Sequence, residues 1–174
     1  MVARTHHWLQ DFVVGLGLCP FANEPLQRNC VRFQVCQQQS SDEIFAALLD
    51  ELEQFVSLDA VAVETGLFIV PNGLAVFDDY LSVLYAAEDA IQRMHLQGVI
   101  QLASFHPVYC FKGATVDDPV NYTNRSPYPM FHVLREASLD QALRAYPNPE
   151  RIPERNIETL TALGLAAIRQ RLEG

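Results

Sequence analysis

A nearly continuous apolar run from Val99 to Phe105 is the feature that most constrains how this chain folds. A strand with one face in water alternates apolar and polar side chains, whereas a strand covered on both faces is apolar almost throughout. The run therefore predicts a strand lying between two layers of structure, as in a parallel sheet flanked by helices. It stops at His106-Pro107, where a long segment of little regular periodicity begins.

Helical and strand-like patterns alternate along the rest of the chain. The predicted helices cover residues 5–16, a stretch opened by a capping box at Ser40 and Glu43, residues 77–96, a short stretch opened by Ser138 and Gln141, and residues 154–172 behind Pro153. The predicted strands cover residues 31–35, 67–70, 99–105 and 130–134. We therefore expect an α/β fold in which helices pack on a mixed or largely parallel sheet, with a ferredoxin-like α+β fold as the alternative.

The composition indicates a single globular domain over residues 1–174. Hydrophobic residues make up 49% of the chain and charged residues 19%, which suits a sizeable core with a mild apolar excess. That excess is compatible with a surface for self-association, so a homodimer is one expected arrangement. The net charge of −9 disfavours a basic face for a phosphate backbone, so nucleic acid is not an expected partner.

The sequence carries no pattern typical of a membrane or exported protein. Residues 1–7 lack the apolar core of a signal peptide, and no run approaches the roughly 18 apolar residues of a membrane span. The four cysteines have no CxxC spacing, which disfavours a zinc ribbon and a thioredoxin-type pair, and in the cytosol a disulfide framework is not expected. We expect a cytoplasmic protein that does not bind membranes.

The segment after His106 is the part of the chain where a functional site is most strongly indicated. Long irregular loops inside compact domains are uncommon and are usually functional or disordered, and the Tyr, Phe and Pro content of this one disfavours disorder. Ligands of open α/β sheets bind beyond the carboxyl ends of the strands. Because Pro71-Asn72-Gly73 follows another strand end, we expect both loops at one edge of the sheet.

Polar side chains of this segment form a candidate anion site. Amides, hydroxyls and a guanidinium can together hold a phosphate or carboxylate, and arginine can do so through two hydrogen bonds. The alternative is ordinary turn chemistry, in which Asn and Ser cap their own turn and Arg125 pairs with Asp117 or Asp118. The predicted ligand-binding residues are Asn121, Asn124, Arg125, Ser126, Asp117, Asp118 and, at the end of the last strand, Arg135.

His106 and Cys19 are the candidate catalytic residues. The intrinsic pKa of histidine lies near neutrality, so His106 is suited to acid–base catalysis, although a histidine at a strand end is often a hydrogen-bonded structural residue. Cys19 precedes Pro20, and a cysteine at a helix N-cap has a lowered pKa and can act as a nucleophile. The alternatives for Cys19 are a small buried apolar residue and a pairing with His106 as its base. No recognised ligand spacing predicts a metal site.

Several long motifs resemble those of one known family. They are Trp8 with LCPFA (18–22), FDDYL (77–81), IQLASFHPVYCF (100–111), DDPVNYTNRSPYP (117–129), LRE (134–136) and IPERNI (152–157). Over nearly its whole length the chain resembles a bacterial family catalogued as domain of unknown function 1415. This resemblance implies a cytoplasmic bacterial protein and brings no established reaction, cofactor or catalytic residue.

The functional hypotheses therefore rest on the chemistry of the residues and not on the family resemblance. The first is an enzyme acting on a small anionic metabolite, with His106 as acid or base and Arg125 as the anion clamp. The alternatives are a ligand-sensing or protein-interaction module without turnover, and a thiol-dependent protein that uses Cys19. No particular cofactor is indicated.

Overall fold

The computed structural model describes residues 1–173 and is built around a mixed four-stranded sheet. The strands are β1 (Val31–Val35), β2 (Thr65–Ile69), β3 (Ile100–Phe105) and β4 (Met130–Arg135), in the spatial order β1-β2-β4-β3. β1 and β2 are parallel, and β4 is antiparallel to both β2 and β3. The predicted α/β fold with a mixed sheet is confirmed, because the parallel β1–β2 pair distinguishes it from an all-antiparallel sheet.

Helices precede, connect and follow these strands. They are α1 (Val2–His7), α2 (Asn23–Gln27), α3 (Ser41–Ser57), α4 (Phe77–Arg93), α5 (Glu136–Ala145), α6 (Ile152–Leu163) and α7 (Leu165–Glu173). A π-helical stretch, Trp8–Val14, continues α1, and short 3₁₀ turns span Pro119–Thr123 and Pro149–Arg151. Within residues 1–173, no helix combines the length and apolar character needed to cross a membrane.

α3 and α4 cover one face of the sheet. The predicted capping box begins α3: the Ser40 hydroxyl accepts a hydrogen bond from the backbone N–H of Glu43 (3.4 Å) and donates one to its carboxylate (2.7 Å). Apolar side chains at helical spacing then turn inward and pack on the sheet. This α3–α4 core contains Ile44, Leu48, Leu52, Phe55, Tyr80, Leu84, Phe68, Phe131 and Val133.

The N-terminal and C-terminal helices cover the opposite face. Because side chains alternate along a strand, Leu67 and Ile69 of β2 point away from the α3–α4 core and pack in a second cluster. The helical residues of that cluster come from both ends of the chain: Trp8, Phe12, Leu160 and Ile168. The sheet is therefore buried between two helical layers, and β2 is its most deeply buried strand.

Several local predictions differ from the structure. β3 is covered on both faces, yet it is an edge strand with Gln101 exposed, because β4 inserts between β2 and β3. α5 begins at Glu136 rather than at a Ser138 cap, and the helix predicted over 154–172 breaks at Gly164, whose φ of 77° lies in the left-handed region. Helix α2 begins at Asn23, whereas the N-cap hypothesis for Cys19 requires a helix that begins at Pro20.

The Arg135 side chain joins β4 to the end of α3. Its Nε donates to the Val63 carbonyl (3.0 Å), and its Nη2 donates to the carbonyls of Phe55 and Leu58 (2.9 Å each). The guanidinium also lies 4.5 Å from the centroid of the Phe55 ring. A cation at the carboxyl end of a helix satisfies carbonyls that have no partner within the helix. Arg135, a predicted ligand residue, therefore uses its donors to hold α3 on the sheet.

Replacement of Arg135 should destabilise the fold. We expect Arg135→Ala to lower the free energy of unfolding by about 2–4 kcal/mol, because it leaves buried carbonyls without donors. Arg135→Lys should lose about half as much, since an ammonium cannot reproduce the forked geometry. Urea denaturation measures both. Arg93→Ala, at an exposed ion pair on α4, is the control and should change stability by less than about 0.5 kcal/mol; equal losses for Arg135→Ala and the control would contradict this role.

Candidate functional site

His106 lies at the edge of the sheet where β1, β2 and β3 have their carboxyl ends. Its Nε2–H donates to the Leu74 carbonyl (2.8 Å), and its Nδ1 accepts from the backbone N–H of Val108 (3.2 Å). The ring contacts Phe77 and Tyr80, with centroids 5.1 and 5.2 Å away. The loops that follow β2 and β3 therefore meet at this edge, as the sequence predicted, and His106 is the residue that joins them.

The environment of His106 keeps its ring neutral. The side chain is 1% exposed, and burial lowers its pKa below the usual histidine value although the hydrogen bond to Leu74 opposes the change. Both ring nitrogens are occupied by backbone partners. In this arrangement the imidazole acts as a structural link between loops, and proton transfer to a ligand would require one of those hydrogen bonds to open.

The amide and hydroxyl side chains after His106 bind mainly to their own segment. Asn121 is fully buried; its Oδ1 accepts from Phe111 N–H (2.9 Å) and its Nδ2 donates to the Thr115 carbonyl (2.7 Å). Asn124 Nδ2 donates to the carbonyl of Ser104 at the end of β3 (2.9 Å). These hydrogen bonds give an irregular segment a definite shape.

Asp118 and Ser126 also act within the segment. Asp118 Oδ1 accepts from the backbone N–H of Val120 (3.0 Å) and so caps the 3₁₀ turn. The Ser126 hydroxyl donates to the Tyr128 carbonyl (2.7 Å). Ser126 keeps its oxygen lone pairs, whereas the Asp118 carboxylate is directed at the turn rather than at a ligand.

Arg125 is buried in the same segment without a carboxylate partner. Its Nε donates to the Tyr109 carbonyl (3.1 Å) and its Nη2 donates to the Val116 carbonyl (2.8 Å). The guanidinium lies 4.4 Å from the centroid of the Tyr122 ring, and the residue is 8% exposed. The alternative pairing with an aspartate of the segment is not formed, because Asp117 binds Arg169 of α7 (2.7 Å).

Three arginines line one cleft beside this segment, which we call the arginine cleft. It has a volume of about 350 Å³ and is lined by Arg4, Pro107, Tyr122, Arg125, Ser126, Pro127, Arg169 and Leu172. The Arg4 guanidinium lies 5.7 Å from the Tyr128 ring, and Arg169 donates to the Tyr122 hydroxyl (3.2 Å). The sequence analysis missed Arg4 and Arg169, since they come from opposite ends of the chain and no local pattern marks them.

A second cavity, the sheet pocket, lies on the sheet face that carries the N-terminal helix. Its volume is about 240 Å³, and its wall is mainly apolar. The lining side chains come from the π-helical stretch, the Cys19–Leu26 segment, the sheet and α5. In this cavity β4 supplies His132, which neighbours Leu67 of β2 and Ala103 of β3.

His132 is held in one tautomer by its neighbours. The Thr65 hydroxyl donates to the Val133 carbonyl (2.8 Å), so the hydroxyl oxygen accepts from Nε2–H of His132 (2.7 Å). The Nδ1 atom of His132 is left as an acceptor without a partner in the described part of the chain. Burial lowers the pKa of His132 to about 4, so the ring is neutral near neutral pH.

Cys19 also lines the sheet pocket, away from His106. It packs with the cluster around Trp8, whereas His106 contacts rings of the α3–α4 core, and no hydrogen bond joins the two residues within the described chain. Burial raises the pKa of Cys19, although backbone N–H groups of Phe21 and Ala22 oppose the change. The expected lowering of this pKa was wrong, because α2 begins only at Asn23 and Cys19 does not occupy its N-cap.

A comparison with protein-family models identifies the family of this chain. A family model described as "Protein of unknown function (DUF1415)" matches residues 1–170. The chain belongs to this family. Searches of curated proteins and of solved structures return no match to the chain. Within residues 1–173, no three His, Cys, Asp or Glu residues are grouped so that they could hold a metal ion.

The lowered pKa of His132 should make the stability of this DUF1415 member depend on pH. The pKa of His132 is about 4 in the folded state and 6.5 in the unfolded state. Between pH 4 and pH 6.5 the unfolded chain therefore binds more protons than the folded chain does. The contribution of His132 to the free energy of unfolding is therefore complete above pH 6.5, and it decreases as the pH falls towards 4. Urea denaturation at pH 7 and 5 should show a loss that is about 1–2 kcal/mol smaller in His132→Gln than in the wild type.

An exposed histidine provides the matched control for this measurement. His95 is exposed beyond the end of α4 and forms no ion pair in the described chain, so His95→Asn should retain the wild-type difference between pH 7 and 5. A His132→Gln variant with an unchanged pH dependence would show that another group is responsible.

Proposed function

We propose that this DUF1415 member binds a small anionic molecule, a phosphate or a carboxylate, in the arginine cleft. The observation that carries the proposal is the charge of the cleft: Arg4, Arg125 and Arg169 line it in a chain whose net charge is −9. The neighbouring carboxylate that pairs with one of them is Asp117, which binds Arg169. Asp117 offsets the charge of Arg169, whereas Arg4 and Arg125 have no carboxylate partner within the described chain, so the cleft keeps an excess of positive charge that favours an anionic ligand.

Free donors remain on these arginines after their protein contacts are counted. Arg125 uses Nε and Nη2 for backbone carbonyls, and its Nη1 makes no hydrogen bond within the described chain. Arg169 uses Nε and Nη2, and its Nη1 is likewise unpaired there. Because the loop already holds Arg125 in place, an anion would bind a guanidinium that has lost most of its side-chain freedom. The Ser126 oxygen supplies a further polar group at the cleft.

His106 affects the arginine cleft indirectly, through its neighbour Pro107. Pro107, the next residue, forms part of the cleft wall, and the hydrogen bond from His106 to Leu74 anchors that wall to the loop after β2. We assign His106 this positioning role and limit the proposal to binding. Acid–base catalysis by His106, thiol chemistry at Cys19 and association into a homodimer stay predictions.

Loss of either peripheral arginine should weaken anion binding. We expect Arg4→Ala and Arg169→Ala each to reduce the affinity for inorganic pyrophosphate or citrate about tenfold, measured by isothermal titration calorimetry. These variants are sharper than Arg125→Ala, which also removes two hydrogen bonds that shape the loop. Arg93→Ala, on α4, is the control and should bind as the wild type does. If neither anion binds the wild type, or if all variants bind alike, the proposal is refuted.

Neutralising the carboxylate beside the cleft should have the opposite effect. Asp117 binds Arg169 and competes with a ligand for the same guanidinium. Asp117→Asn should therefore raise the affinity for pyrophosphate about two- to fivefold at low ionic strength, and added salt should shrink the gain. Calorimetric titrations at two salt concentrations measure the change. A loss of affinity in Asp117→Asn would mean that the carboxylate helps to bind the ligand, which contradicts an anion site.

A further inference from the structure

The sheet pocket is a cavity that the proposed anion site does not use. Its apolar wall includes Leu9, Val13, Leu67, Ala103, Phe105 and Leu139. Cavities lined by such side chains are poor sites for water, and one of about 150 Å³ accommodates benzene. The sheet pocket measures about 240 Å³, which leaves room for a molecule of two fused rings.

Among the residues that the structure describes, no unpaired charge lines this pocket. Glu64 at its rim forms an ion pair with Arg28 (3.2 Å), so that carboxylate is already neutralised. Arg135 contributes to the lining, but its guanidinium is bound to carbonyls at the end of α3 on the other face of the sheet. Since burial of an ion without a partner is costly, the pocket favours a neutral ligand.

His132 supplies a specific hydrogen-bond acceptor in this apolar wall. Its Nε2 proton is taken by Thr65, so its Nδ1 carries a lone pair and no proton. That Nδ1 has no hydrogen-bond partner in the described chain, and the ring that carries it lines the cavity. A ligand that donates a hydrogen bond would satisfy Nδ1, whereas a ligand with only acceptors would face another lone pair.

Trp8 lines the same pocket and provides a reporter group for a bound ligand. The residue is 4% exposed, and its indole N–H has no acceptor within the described chain. The ring packs edge-on against Phe105, whose own centroid lies 6.1 Å from His132. This nitrogen is enclosed by protein atoms, so a ligand in the pocket would contact the indole ring rather than its N–H group.

We infer that the sheet pocket binds a small, uncharged, largely apolar molecule of one or two rings whose hydroxyl group donates a hydrogen bond to His132. A hydroxyl suits the site because it carries no charge and donates a hydrogen bond to Nδ1. This ligand class differs from the anion expected in the arginine cleft, and the two cavities share no lining residue.

The test compares two compounds that differ in the hydroxyl group alone. We would titrate the full chain with 5-indanol and with indane and follow Trp8, which is the only tryptophan and therefore gives a single indole N–H resonance. We expect 5-indanol to shift this resonance and to bind about tenfold more tightly than indane, because a site built around a hydrogen bond rejects the analogue that lacks it. His132→Phe should abolish this preference while it keeps a ring at the position.

A variant that fills the cavity keeps the test decisive if His132→Phe fails to fold. Ala103→Leu adds a side chain inside the pocket and should abolish binding of both compounds, whereas Ala86→Leu on the exposed side of α4 should leave it intact. Pyrophosphate affinity should be the same in both variants, which separates this inference from the anion site. Equal affinities for the two compounds, an unmoved Trp8 resonance or unimpaired binding to Ala103→Leu would each overturn the inference.

Discussion

The insertion of β4 between β2 and β3 is the interaction on which the rest of the structure depends. Its backbone pairs with β3 along Met130–Arg135 and with β2 along Met130–Leu134, so this strand joins β3 to the parallel β1–β2 pair. Its side chains serve both helical layers: Phe131 and Val133 enter the α3–α4 core, and Met130 enters the cluster around Trp8. At its end Arg135 fixes α3. Because β4 also carries His132, the same strand that builds the core shapes the sheet pocket.

Most polar side chains of the segment between β3 and β4 hold that segment together. His106, Asn121 and Asn124 bond backbone groups that would otherwise be buried without partners. Arg125 does the same with two of its nitrogen atoms. The ordered loop in turn places the Arg125 side chain in the wall of the arginine cleft. Arg125 therefore combines a structural role with the proposed ligand-binding role, because its hydrogen bonds to the loop position the guanidinium that would bind an anion.

The two cavities have contrasting chemistry. The arginine cleft is open and cationic in a chain of net charge −9, and it suits an anion. The sheet pocket is mainly apolar, its ionisable His132 is neutral, and its neighbouring Glu64 is already paired. The π-helical stretch Trp8–Val14 continues the helix that carries Arg4, so one N-terminal element contributes to both sites. Ligands of two different kinds could therefore bind without competing for the same side chains.

The sequence by itself predicted the local interactions. The capping box at Ser40, the apolar spacing of α3 and α4, and the strands around Phe33, Phe68 and Phe131 depend on residues a few positions apart, so pattern alone predicted them. The meeting of the loops after β2 and β3 was also predictable, because strands that run in the same direction share an edge.

The tertiary structure determined the features that depend on residues far apart in the chain, namely the strand order and the two cavities. An apolar run predicts that a strand is covered on both faces, but it does not predict its neighbours, and only strand pairing placed β3 at the edge. The arginine cleft and the sheet pocket escaped the sequence analysis for the same reason. Arg4 and Arg169 approach Arg125, and Trp8 approaches His132, only because burial of the sheet draws both ends of the chain onto one face. Burial itself, which no motif encodes, set the pKa directions of Cys19 and His132.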